Sequence, residues 1–184
     1  MTIRSFLISL SLVPFFLAAQ VNQTFPYMEG ESLTHSIVNL PKDLAGKYSV
    51  LGLAFSKKSE DYLKSWFQPA YSQFIYKPET PSLFSGNYDV NVYFVPMFTG
   101  AKRPAYEKVM ENVSKTIDER LLPYVLFYQG SMKEYRDALG FDGKEIPYFY
   151  VLDPAGKIIY TTSGMYTDEK MQEILDVLEP AWGN

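Results

Sequence analysis

The stretch "GKEIPYFYVLDPAGKIIYTTSG", residues 143–164, decides the fold class. An apolar strand follows the Ile146–Pro147 step and breaks at Asp153-Pro-Ala-Gly-Lys157. A second apolar strand then runs on to Gly164. Two β-rich runs joined by a Pro/Gly turn read as an antiparallel hairpin.

Upstream of the hairpin, strands and helices alternate. The run from Tyr48 to Phe55 is apolar throughout, which fits a central strand buried on both faces. "SKKSEDYLKSWFQPAYSQFIYK" follows it, with Ser59 as the expected N-cap and Glu60 and Asp61 in the first turn. Leu63, Trp66, Phe67, Ala70, Tyr71 and Phe74 recur at helical spacing, and Pro69 should kink this helix. A Pro/Ser/Gly-rich loop, "PETPSLFSGNYD", leads to "VNVYFVPMF", a strand that Pro96 should end.

"GAKRPAYEKVMENVSKTIDER" reads as a loop and an amphipathic helix with Pro104 near its start. "LLPYVLFYQG" gives a shorter strand, and "SMKEYRDALG" a helix ending at Gly140. Beyond the hairpin, Thr167 caps a last helix that Pro180 stops. Near the other end, Ser32 to Asn39 reads as a strand. The alternation implies an α/β domain: a central mixed sheet with helices on both faces.

Composition bounds the rest. The chain has 184 residues, 47% of them hydrophobic, enough for one domain with a sizeable core. Its net charge of −4 and scattered basic pairs, Lys57-Lys58 and Lys102-Arg103, exclude a nucleic-acid footprint. The 15 tyrosines and 13 phenylalanines read as core and rim.

At the N-terminus, Arg4 precedes an apolar run from Phe6 to Leu17 and the small residues Ala18 and Ala19. That is the pattern of a secretory signal peptide over residues 1–19, with cleavage expected after Ala19 and a mature domain over 20–184. The apolar run is short for a membrane span and contains Pro14, so the expected product is periplasmic or extracellular and not integral to a membrane. The chain has no cysteine, so neither a disulfide nor a lipidated cysteine is available to it.

"FPYMEGESL", "DLAGKYSVLGLAF" with its proline-kinked helix, and "LGFDGKEIPYFYVLDPAGKIIYTTSG" together resemble the thioredoxin-like superfamily, in particular its exported thiol-disulfide oxidoreductase and peroxiredoxin-type members. The resemblance covers nearly the whole mature chain. It implies the thioredoxin-like fold and a cis bond before Pro147, beside the family's active site. It also implies that the first reactive cysteine would stand between the central strand and the kinked helix. Alignment on the strand puts that position near Ser59; alignment on Pro69 puts it nearer Asp61. Neither residue carries sulfur, so thiol redox catalysis is excluded: exchange requires a thiolate attacking a sulfur. A second resemblance, carried by "AFSKKSEDYLKSWFQPAY" and "NVYFVPMFTG", is to thioredoxin-like assembly factors for the membrane sector of ATP synthase. It implies a fold used to handle a partner rather than to move electrons.

Other chemistries lack their residues. The single histidine, His35, reads as a strand residue, and no G-x-S-x-G elbow accompanies it. The methionines form no tight motif, and Met97 reads as core packing rather than a copper ligand. No catalytic residue, metal site or cofactor is expected. What remains is a binding groove. The resemblance implies that an extended polypeptide is taken between Ser56, Lys57, Lys58 and Ser59 on one side and Ile146 and Pro147 on the other, with Trp66 and Tyr148 widening the apolar contact. The expected partner is a protein or peptide in the cell envelope; a non-thiol enzyme or metal-binding protein using the same groove is the alternative.

Overall fold

Two hydrophobic cores sit on opposite faces of one seven-stranded sheet, and strand period sorts side chains between them. The computed structural model describes residues 20–76, 88–100, 105–143 and 145–179. The expected signal segment, most of the "PETPSLFSGNYD" loop, Pro104 and Pro180 lie outside the described residues.

The strands are β1 (Met28–Ser32), β2 (Ile37–Leu40), β3 (Ser49–Ala54), β4 (Asn91–Thr99), β5 (Leu126–Gly130), β6 (Tyr148–Leu152) and β7 (Ile158–Ser163). Their order in the sheet is β2-β1-β5-β4-β3-β6-β7. β3, β4 and β5 are parallel, and every other pairing is antiparallel. β3 is buried at all six positions: Val50 and Ala54 enter one core, Leu51 and Leu53 the other. Phe149 and Val151 of β6 face the first core, while Tyr148, Tyr150 and Leu152 face the second.

Helices α1 (Lys57–Lys64), α2 (Phe67–Ala70), α3 (Tyr106–Thr116) and α5 (Asp168–Leu178) cover the first core. Helix α4 (Lys133–Leu139) covers the second through Tyr135 and Leu139. The mixed sheet with helices on both faces is the architecture expected from the alternating pattern.

The β6–β7 turn forms as its residues dictate. Asp153 Oδ1 accepts from Ala155 N and Lys157 N at 2.9 Å each, and Gly156 adopts a positive φ of 80°.

Several expectations need correction. Ser32 to Asn39 is not one strand: β1 ends at Ser32, residues 33–36 make the turn, and β2 starts at Ile37. The Ser32 hydroxyl accepts from Thr34 N at 3.3 Å and Ser36 N at 3.0 Å, and His35 takes a left-handed φ of 59°. Helix α1 starts a turn earlier than expected, capped by Ser56 and not Ser59. Pro96 does not end its strand: it falls opposite Ala54, the last residue of β3, and β4 continues along β5 to Thr99. Pro69 acts as expected, since α1 ends at Lys64 and α2 begins only at Phe67, before a wide turn over Tyr71–Ile75. The proline ring would clash with the carbonyl four residues back, that of Ser65.

The Ile146–Pro147 bond is trans, contrary to the expectation; among the described residues the cis bond is Leu40–Pro41. A trans X-Pro bond is favoured by about 0.5–1 kcal/mol without special context, and here the Pro147 carbonyl accepts from Gly164 N at 2.9 Å as β6 begins.

Candidate functional site

The candidate residues gather at one end of the sheet, where β3 runs into α1 and the 145–147 segment runs into β6. At the β3–α1 junction, Ser56 is extended (φ −137°, ψ 160°) and its Oγ accepts from Ser59 N at 3.0 Å. Ser59 Oγ in turn accepts from Ser56 N at 2.9 Å and Phe55 N at 3.1 Å, and donates to the Ser56 carbonyl at 3.0 Å. This is a reciprocal capping box with serine in the place usually taken by Glu or Gln. Ser59 is fully buried. Two serines three residues apart across a helix N-cap have the spacing of a Cys-x-x-Cys pair. Ser56 is thereby a further candidate for the first of the two positions, beside Ser59 and Asp61.

Lys57 and Lys58 occupy the first turn and are exposed. Lys58 Nζ donates to Glu145 Oε2 at 2.6 Å, bridging α1 to the segment before Pro147. The hydrogen bond to Glu145, with its negative charge, raises the Lys58 pKa. Both partners are more than half exposed, so the bridge is a surface strut of modest strength.

The aromatic pair expected to widen the groove is instead structural. Trp66 is 1% exposed; it packs on Phe149 at 4.1 Å and donates from Nε1 to the Gly164 carbonyl at 3.0 Å. Tyr148 is 2% exposed, on the opposite face of the sheet, stacked among Phe55 and Phe141. Its hydroxyl donates to Asp142 Oδ1 at 2.6 Å and accepts from Gly143 N at 2.7 Å. Burial first, then the Asp142 carboxylate, push its pKa up to about 12. Pro147 is buried and Ile146 half-buried. The exposed surface here is Lys57, Lys58, Glu145 and the edge of Ile146, with Ser59, Trp66, Pro147 and Tyr148 buried beneath it.

Met97, the candidate soft ligand, is fully buried in the second core. Among the described residues no group of three or more His, Asp or Glu side chains stands where it could hold a metal ion. No helix of the described residues is long and apolar enough to cross a membrane.

The sequence model of the ATP10 protein family matches residues 14–179. The chain belongs to that family. No curated protein sequence matches it. In three dimensions this ATP10-family chain is similar to yeast Sco1, with 16% identity, a TM-score of 0.53, and 85% of this chain and 95% of that chain covered. It is similar to BsSco, of the Sco family of cytochrome c oxidase assembly proteins, at 14% identity and a TM-score of 0.55, covering 89% and 96%. It is also similar to the exposed lipoprotein thioredoxin Etrx1 of Streptococcus pneumoniae, at 17% identity and a TM-score of 0.51, covering 82% and 98%. At such identities the likeness shows the fold, which is thioredoxin-like. With no cysteine, this member is inactive in thiol redox chemistry.

Proposed function

We propose that this chain is an exported assembly factor that holds a polypeptide partner without forming a covalent bond to it. The observation that carries the reading is the pairing of an ATP10-family match over residues 14–179 with serine at both ends of the Ser56-Lys57-Lys58-Ser59 cap. The scaffold keeps a built, hydrogen-bonded helix N-terminus, and its oxygen atoms can bind but cannot exchange disulfides. BsSco, of similar fold, belongs to a family of assembly proteins and has a disulfide switch; here assembly proceeds by binding alone. Export rests on the charged, apolar and small-residue order of residues 1–19, and places the partner in the cell envelope.

The partner meets the end of α1 that presents Lys57 and Lys58, beside Glu145 and Ile146. Opening the Lys58–Glu145 bridge would free one cation and one carboxylate for a polypeptide laid across the gap. Photo-crosslinking in the native host tests this, with the crosslinker at Lys58 and separately at Ile146. The expected result is one discrete polypeptide adduct common to both positions. Absence of an adduct from both positions, with adducts from Asp137 on α4 instead, would move the partner to another face.

A further inference from the structure

Residues 20–25 form a strap along the sheet edge, far from the Lys57–Lys58 surface in the chain. Cleavage after Ala19, as the sequence pattern predicts, makes Gln20 the first residue of the mature protein. The first residues of a domain commonly fray unless they are tied down. Here the tie begins at once. The Gln20 carbonyl accepts from Gln23 N at 3.2 Å, and Asn22 turns the chain with a left-handed φ of 73°. Asn22 N donates to the Ile158 carbonyl at 2.7 Å, Ile158 N to the Gln23 carbonyl at 2.8 Å, and Phe25 N to the Gly156 carbonyl at 2.9 Å. The strap thereby covers the start of the outer edge of β7. Phe25, 1% exposed, pins it in the second core against the Tyr150 ring.

Gln20 has a seat of its own. It is 7% exposed, and its side-chain amide lies over Gly140, which caps α4 with a left-handed φ of 65°. A methyl group on residue 140 would come within 2.2 Å of Gln20 Nε2 and 2.8 Å of Cδ. The bare α-carbon of Gly140 is what makes room for this amide. Cleavage after Ala19 would bring a new α-amine to the same closed seat. With an ordinary pKa of about 7.7–8.0, an α-amine is mostly protonated at neutral pH. A buried ammonium is costly unless it is paired or neutralised. The group that can neutralise it is the residue's own side chain.

We propose that Gln20 is a modification site: the N-terminus of the mature chain, closed to pyroglutamate. The free α-amine attacks Cδ of its own carboxamide. The N–Cδ bond forms, the Cδ–Nε2 bond breaks, and the amine proton leaves with Nε2 as ammonia. The step is an intramolecular aminolysis, so it needs neither oxidant nor co-reactant. Its product is a neutral lactam, which sits in a buried seat without an unpaired charge and keeps the carbonyl of residue 20 for Gln23 N. The atom it loses, Nε2, is the one that stands closest over Gly140. This inference rests on the export reading above, since only a cleaved chain has an α-amine at residue 20.

Mass spectrometry of the full chain, recovered from the envelope of its native host and acid-quenched at lysis, tests it. A synthetic peptide of residues 20–25 goes through the same work-up. The expected N-terminal peptide starts at Gln20 and is lighter than its sequence by one ammonia. It takes no label from an amine-reactive reagent at its N-terminus and loses one residue to pyroglutamyl peptidase, while the synthetic peptide stays open. A mature chain starting at Gln20 with a labelled α-amine would overturn the proposal and leave export standing. Equal closure of the synthetic peptide would also overturn it, because the ring would then be a product of the work-up. A chain cleaved to another first residue would overturn Gln20 as the site and leave export standing; one that still begins at Met1 would overturn both.

Discussion

The side chains of Ser56 and Ser59 meet at 3.1 Å across the first turn of α1, each accepting from the other's backbone N–H. Their spacing and closeness make a sharp expectation. In a Ser56→Cys/Ser59→Cys variant, two thiols would lie at a helix N-terminus, where thiolates are favoured, within reach of a disulfide. Thiol titration should find two reactive groups after reduction and none after mild oxidation, with the mass lowered by two hydrogens. Persistently free thiols under oxidising conditions would show that this turn does not superimpose on a Cys-x-x-Cys cap.

The same serines also hold the junction of β3 and α1. Replacing buried Ser59 by alanine removes the acceptor of Phe55 N and Ser56 N. We expect a loss of about 1–3 kcal/mol in urea unfolding. Ser59→Thr, which retains the hydroxyl, should recover part of it. An unchanged midpoint in Ser59→Ala would contradict the capping role.

These two serines also mark the limit of what sequence reading reached. The opening hairpin was legible because Asp153, Gly156 and the β-branched and aromatic runs act locally. The kink at Pro69 and the all-buried β3 were legible for the same reason. The helix start was misplaced by a turn because both Ser56 and Ser59 are good N-caps, and only the backbone angles of Ser56 choose between them. Trp66 and Tyr148 were read as groove walls because an aromatic's exposure is set by distant partners. Gly164 lies 98 residues from Trp66, and Tyr148 is closed in by Phe55 of another strand end. The Ser32 turn was readable in its Ser-Leu-Thr-His-Ser cluster, which the hydrophobic pattern masked.

Burial turns the aromatic pair into a stability test. Trp66→Ala should cost about 3–5 kcal/mol, while Trp66→Phe should cost less and lose the bond to the Gly164 carbonyl. The folded Trp66→Phe variant should give the same crosslinked adduct from Lys58 as wild type. Loss of that adduct in a variant with an unchanged melting profile would return Trp66 to the contact surface.

Gly52, in the middle of β3, has room for no side chain. A methyl group there would lie 2.5 Å from Phe149 Cε1 and 2.9 Å from Leu63 Cδ1. Gly52→Ala is therefore expected to destabilise by about 1–3 kcal/mol through overpacking. A neutral or stabilising result would mean that α1 does not pack on β3 as described.

Glu31 links the β1–β2 turn to α3: it pairs with His35 Nδ1 at 2.9 Å and accepts from Tyr106 OH at 2.9 Å. The His35 bond first, then the Tyr106 bond, hold its carboxyl below the usual range. A depressed folded pKa means stability that is present above the ordinary carboxylate value, about 4.3, and lost as pH falls through the lower folded value. The gap in melting temperature between wild type and Glu31→Gln should be full at pH 6 and shrink below about pH 4. A gap that widens on acidification would contradict the sign.

The most direct test of the central claim is deletion of the chain in its native host, followed by native electrophoresis of envelope complexes. The account predicts that one multi-subunit complex stalls at an incomplete stage, under reducing and oxidising growth alike, and is restored by the wild-type chain. Normal assembly of every complex in the deletion strain would contradict it.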